Sequence, residues 1–166
     1  MIPARLPDNE TQRLRALQDL MLLDTAPEER FDRFVRFAAE QLDAPIALMS
    51  LIDDERQWFK SRVGLALPQT GRDVSFCAHA ILQPELFVVE DANLDARFAG
   101  NPLVTQAPHI RFYAGAPLSA PTGERLGTLC IIDTKPRSLN PTERAVLRAL
   151  GQLANETIAG KKETEA

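Results

Sequence analysis

The chain is short of several things that would settle its class at once. It has two cysteines, Cys77 and Cys130, in 166 residues. That is too few for a disulfide scaffold, and neither sits in a CxxC pair, so two reduced, buried thiols are expected. No apolar run approaches the roughly 20 residues that span a bilayer, and residues 1–10 lack the apolar core of a signal peptide. A cytoplasmic protein with no membrane partner is therefore expected. There is no excess of positive charge either: the formal net charge is −4, with acidic and basic residues interleaved. Without a basic stripe to neutralise phosphates, nucleic acid is not an expected partner. Internal repeats and low-complexity tracts are absent.

What is present is an ordinary globular balance, 45% apolar and 25% charged residues, in a length that suits one domain with a real core. The expectation is a single domain over residues 1–166, with its core at about 24–160. Residues 9–23 carry Leu14, Leu17 and Met21 at helical spacing, with Leu20 and Leu23 widening the stripe. Thr25 and Glu28 resemble a capping box that opens a second helix. That helix runs to about Leu42, with Phe31, Phe34, Val35, Ala38 and Leu42 on one face. Residues 46–52 and 57–63 read as a β-hairpin across Asp53, Asp54 and Glu55.

A turn-rich stretch follows, then a short helix at about 75–82 and a short strand at 86–89. The next twenty or so residues, with Asn93, Gly100, Asn101, Pro102 and Pro108, show little periodicity, and a loop of that length in a compact domain is usually functional. Residues 112–118 and 126–132 form a second hairpin, with Pro117 expected at a strand end or edge. Asn140, Pro141 and Glu143 supply the start of a last helix that continues through Leu147, Leu150, Ala154 and Ile158. The short connections between strands favour antiparallel pairing and an α+β domain.

Several blocks resemble GAF domains of the kind found at the N-termini of bacterial sensor histidine kinases and diguanylate cyclases. They are residues 23–34 (LDTAPEERFDRF), 45–64 (PIALMSLIDDERQWFKSRVG), 72–81 (RDVSFCAHAI), 91–104, 109–118 (HIRFYAGAPL) and 126–133 (LGTLCIID). Long blocks in one order at compatible spacing are more specific than a single short motif. The resemblance implies a GAF/PAS-like central antiparallel sheet, terminal helices on one face, and a short helix and long loop covering a pocket on the other. It also implies a non-catalytic sensory role in bacterial signal transduction. A small ligand or partner would be read and its state passed through the terminal helices to an output, a histidine kinase or GGDEF domain in cis or trans. No kinase, GGDEF or phosphodiesterase motif lies in the chain itself.

Related domains dimerise through their first and last helices, so the resemblance makes Leu14, Leu17, Met21, Leu150, Leu153 and Ile158 the homodimer interface. The plainer alternative is that these residues cover the domain's own sheet. Neither helix length nor the charged tail at 161–165 separates the two readings. A ligand-free dimerisation spacer is the main functional rival.

The residues expected to line or close the ligand face are Trp58, Phe76, Cys77, His79, Asp91, Phe98, Arg111 and Tyr113. Each has a structural alternative: Trp58 and Phe98 as packing, Asp91 as a turn residue. Arg97 and Arg111 either hold an anion or pair with Asp91 and Asp95. Cys77 and His79 sit two apart on one helix, where side chains diverge by about 200 degrees, which disfavours a Cys–His catalytic pair. No metal is expected, since none of Cys77, His79, His109 and Cys130 shows zinc-site spacing. Asp91, Asn93 and Asp95 open like a calcium loop but lack its glycine and terminal glutamate.

Three ligand or activity classes known among GAF domains also fail at particular residues. The free methionine-R-sulfoxide reductases need a nucleophilic thiolate in the loop corresponding to residues 93–111, which holds no cysteine, so a redox enzyme centred on Cys77 is only a third possibility. A covalent bilin is not expected, because Pro108 stands before His109 where the anchoring cysteine would be. The Asn-Lys-Phe-Asp-Glu constellation of the cyclic-nucleotide binders is missing.

Overall fold

The computed structural model describes residues 1–160; the charged tail at 161–165 lies outside the described residues. Helix α1 spans Glu10–Asp19 and α2 spans Glu29–Gln41. Strands β1 (Ile46–Ile52) and β2 (Arg56–Val63) form the first hairpin, and β3 (Gln69–Gly71) returns against β2. After a 3-10 turn at Arg72–Val74 come α3 (Phe76–Ala80), β4 (Phe87–Val89), a second 3-10 turn at Ala92–Leu94, and α4 (Pro102–Thr105). Strands β5 (Phe112–Ser119) and β6 (Arg125–Asp133) form the second hairpin, and α5 runs over Pro141–Gly160. The six strands make one antiparallel sheet in the order β3-β2-β1-β6-β5-β4. Both hairpins and the α+β class are as expected.

The sheet separates two apolar layers. One face carries Ala47, Met49, Leu51, Trp58, Phe112, Ala114, Leu129 and Ile131, packed against Leu17 of α1, Phe31, Phe34, Val35 and Ala38 of α2, and Leu147, Leu150, Ala154 and Ile158 of α5. The α2 and α5 stripes thus bury the faces their periodicity implied, each large side chain contributing about 1.5–3 kcal/mol. The other face carries Ile46, Leu48, Phe59, Tyr113, Cys130 and Ile132 beneath Phe76, Ala80, Phe98, Val104 and Ile110. The terminal helices on one side, and a short helix with a long connection on the other, follow the implied arrangement.

Four local expectations need correction. Helix α1 ends at Asp19 instead of continuing to residue 23: Met21 takes a positive φ of 53° and is 79% exposed. Its inward face includes Arg13, 1% exposed, whose guanidinium donates to the Ile52 carbonyl at 2.7 Å and to Glu10 at 2.8 Å. The Thr25–Glu28 capping box does not form. Glu28 is itself the residue before α2, and both side chains are instead turned to Lys60. The stretch after Gly64 contains β3, and the long loop contains a 3-10 turn and α4, each started by a local side-chain cap. Asp91 accepts from the Asn93 amide and Asn101 from the Leu103 amide. Pro117 pairs across to Thr128 of β6 beyond the end of β4, whose last partner is Gly115, so it stands on a locally open edge that requires no N–H. The capping box expected at α5 is present: the Glu143 amide donates to Asn140 Oδ1 at 2.8 Å, and the Asn140 amide donates back to Glu143 at 3.0 Å.

Candidate functional site

The face of the sheet away from the long helices is roofed by α3 and the connection that follows β4. Ser75 caps α3 by accepting from the Ala78 amide at 3.0 Å, which aims Phe76 down at the sheet. The Phe76 ring stacks on Phe98 with centroids 4.0 Å apart and meets Tyr113 at 5.3 Å. The first is a close parallel stack and the second an ordinary aromatic packing distance, and the three rings fill the middle of the roofed space. What is left is a cavity of about 20 Å³, lined by Ile46, Leu48, Gln57, Phe59, Phe76 and Tyr113 among others. That is room for about one water molecule, far short of the several hundred Å³ of an ordinary ligand pocket. Larger hollows, of about 480 and 420 Å³, lie elsewhere, beside α5 and beside the N-terminal end of α2.

The polar groups under the roof are turned to one another. Gln57 Oε1 accepts from Ser50 Oγ at 2.9 Å and Ser75 Oγ at 2.8 Å, while its Nε2 donates to Thr70 at 3.0 Å. The Tyr113 hydroxyl bonds Thr128 Oγ1 at 2.9 Å. Among the described residues no buried side-chain nitrogen or oxygen is left without a partner. Gln57 was not legible as an organiser: a lone glutamine beside Trp58 carries no motif. Its signal is only that a polar residue stands directly before the apolar pair Trp58 and Phe59 in β2.

The eight residues singled out in the sequence do not form one site. Phe76, Cys77, Phe98 and Tyr113 are under the roof. Trp58 is on the opposite face, packed with the helices, because adjacent residues of a strand point to opposite sides and Phe59 takes the roofed one. His79 is at the rim of α3, its ring edge-on to Phe98 at 4.9 Å and its Nε2 2.9 Å from the Ile2 carbonyl. Asp91 caps its turn, and Arg111 donates to the carbonyls of Val104 and Ile110 at 2.8 and 3.0 Å. Arg97 pairs with Asp95 at 2.6 Å, and its guanidinium lies over the Phe87 and Phe98 rings. The loop's charges are thus spent on holding its own shape.

The thiols are equally enclosed. Cys77 is fully buried beside Ile52, Ala78 and Ile81. Burial pushes the Cys77 thiol up, and burial together with the neighbouring Cys77 pushes Cys130 up to about 12. Both are protonated at neutral pH, whereas the thiolate is the nucleophilic form. Burial also lowers the His79 pKa, leaving its ring neutral at pH 7. Among the described residues no group of three or more His, Cys, Asp and Glu is placed to hold a metal ion, and no helix is long and apolar enough to cross a membrane.

The six interface candidates divide by exposure. Leu17, Leu150 and Ile158 belong to the helix-side core, while Met21 and Leu153 are 79% and 47% exposed and Leu14 is partly so.

The chain is 47% identical over 131 residues to a cyclic di-GMP phosphodiesterase of Pseudomonas aeruginosa, an alignment covering 79% of this chain and 22% of that protein. It therefore spans about a fifth of that relative's length. The fold is similar to the GAF domain of an Acinetobacter phosphoenolpyruvate-protein phosphotransferase, with a TM-score of 0.63 at 15% identity over 93% of this chain and 97% of that one. It is also similar to a free methionine-R-sulfoxide reductase of Neisseria meningitidis, with a TM-score of 0.64 at 14% identity over 99% and 98%. At such identities the likeness is one of fold, which does not carry function. The family model for the GAF domain matches residues 26–158, both hairpins and the helices that flank them, and the chain belongs to the GAF domain family.

Proposed function

We propose that this domain is a non-catalytic regulatory module of a bacterial cyclic di-GMP signalling protein, acting in the cytoplasm on an output enzyme in the same chain. The output expected by resemblance was a kinase or a GGDEF domain. The phosphodiesterase relative makes a cyclic di-GMP hydrolase the better choice. The observation that carries the regulatory reading is the state of the roofed face: a cavity of about 20 Å³, satisfied polar groups and protonated, buried thiols offer no reacting group to a substrate. A face filled by its own side chains favours the spacer form of this function. In that form the terminal helices, with Met21 just past the end of α1, hold two copies together through Leu14, Met21 and Leu153, the interface candidates left at least partly exposed.

The test uses the isolated chain and a chimera in which it replaces the matching region of the Pseudomonas aeruginosa phosphodiesterase. The isolated chain is expected to hydrolyse no cyclic di-GMP and to run as a dimer by light scattering. Leu153→Glu is expected to weaken the dimer and change the chimera's turnover several-fold. Hydrolysis by the isolated domain, or a chimera indifferent to Leu153→Glu, overturns the proposal. Metabolite sensing is the second reading, favoured by the roof being built from two short helices of five and four residues and a 3-10 turn instead of long regular elements. A concentration-dependent rise in melting temperature with nucleotides, cyclic nucleotides, haem or methionine sulfoxide would replace the spacer with the sensor, because a ligand of the native state alone must stabilise it.

A further inference from the structure

The segment before α1 is not a loose end. The Ile2 amide donates to the Arg97 carbonyl at 2.9 Å, and the Ile2 carbonyl lies 2.9 Å from His79 Nε2. Ala4 packs against the cluster of Ile52, Cys77, Ala78 and Ile81, and Met1 passes so near Gly100 that a Cβ there would stand 3.1 Å from the Met1 nitrogen. One short stretch of backbone thus touches both halves of the roof: α3 through His79 and Ala78, and the connection after β4 through Arg97 and Gly100.

His79 suits this role. Its ring is braced edge-on by Phe98, which itself stacks on Phe76. The hydrogen bond to Ile2 is therefore made by a side chain that also reports the position of the roof's two central aromatics. Ile2 is 54% exposed, so the segment is held mainly by its backbone groups and by Ala4. Two hydrogen bonds and one small apolar contact amount to a modest, reversible attachment, the kind that opens locally well before the domain unfolds.

We infer that residues 1–5 form a clasp that keeps the roof closed over the sheet, so that displacing this segment loosens α3 and the 95–101 connection together. The inference deepens the regulatory reading of the roofed face and rests on it. It gives that face a control from the chain's N-terminal side, independent of any ligand.

The untagged chain and two variants test it by hydrogen exchange. Ile2→Pro removes the donor to Arg97, and His79→Phe keeps a flat ring on Phe98 while removing the donor to Ile2; Ile2→Ala is the control that keeps both backbone groups. In each of the first two, the amides of Phe98, Ala99 and Asn101, and those of Ile81 and Leu82 at the end of α3, are expected to exchange about five- to tenfold faster, with β1 and β6 unchanged. In a Cys130→Ala background, Cys77 beneath Ala4 should also react faster with Ellman's reagent. Unchanged exchange at those amides, or acceleration spread equally over β1 and β6, overturns the clasp. Either result leaves the chimera's turnover free to support or overturn the regulatory reading on its own.

Discussion

At the scale of single residues, the least conventional feature is charge placed inside. Arg13 and the side chain of Lys60 are essentially unexposed, and each has at least one partner from a distant part of the chain. Lys60 donates to Thr25 Oγ1 and the Ala26 carbonyl, both at 2.6 Å, and meets Glu28 at 2.7 Å, so all three ammonium protons have acceptors. Glu10 is shared between Arg13 and Arg72, at 2.8 and 2.6 Å. Burial alone would raise its pKa, but the two guanidiniums outweigh burial and bring it down to about 2. A carboxylate held below its unfolded value stabilises the fold at every pH above that value, and the contribution is lost as pH falls from about 4.5 towards 2. The expected contribution is on the order of 2–3 kcal/mol. Denaturant unfolding of Glu10→Gln should show a matching loss at pH 7 and a flatter stability profile between pH 4.5 and 2 than the parent chain. A variant as stable as the parent at pH 7 would mean that the triad is worth nothing.

At the scale of elements, local chemistry and packing can be set against each other at Gly151. It sits inside α5, where replacing glycine with alanine normally stabilises a helix by about 1 kcal/mol. A Cβ there would lie 2.7 Å from the Ala116 Cβ on β5, closer than packed atoms tolerate, and overpacking costs about 1–3 kcal/mol. Packing is expected to win. Gly151→Ala should lower the midpoint of urea unfolding, and Ala116→Gly in the same chain should restore part of the loss, whereas a rise in the single variant would show that α5 rides higher on the sheet. The elements themselves were largely legible. The stripes of α2 and α5, the reciprocal Asn140–Glu143 cap and both hairpins follow from spacing within a few residues. The parts of the connections that spacing did not reveal, β3 after Gly64 and α4 in the long loop, are three and four residues long and too short to show a period.

At the scale of the whole molecule, one sheet divides two apolar layers, and the layer under the roof is closed. Its cysteines are the built-in reporters of that closure. Cys77 and Cys130 are each no more than 1% exposed, with their pKa values raised by burial. In the native chain both are expected to react with Ellman's reagent only at the rate of structural opening, Cys130 at β6 more slowly than Cys77 beneath the clasp. Prompt reaction of both thiols at neutral pH without denaturant would show an open roof and remove the basis of the spacer reading.

The candidate site was less legible than the fold, and the physical reason is range. Periodicity, caps and turn residues act over a few positions, so the sequence by itself determined the α+β class, the element order and the apolar faces of α2 and α5. Which side of the sheet a strand residue joins depends on register, and here β2 carries a bulge. Ser50 pairs with Phe59 and Met49 with Ser61, leaving Lys60 unopposed and turning both Lys60 and Ser61 towards the helices. Alternation along residues 57–63 cannot reveal that shift, nor that Trp58 faces the helices while Phe59 faces the roof. The partners of Lys60 are about 35 residues away in sequence, and Arg72 is 62 residues from Glu10. Only the tertiary structure decided which charges are buried, that the roofed face is filled by its own rings, and that the first five residues touch both halves of that roof, because each depends on segments brought together by the closing of the sheet.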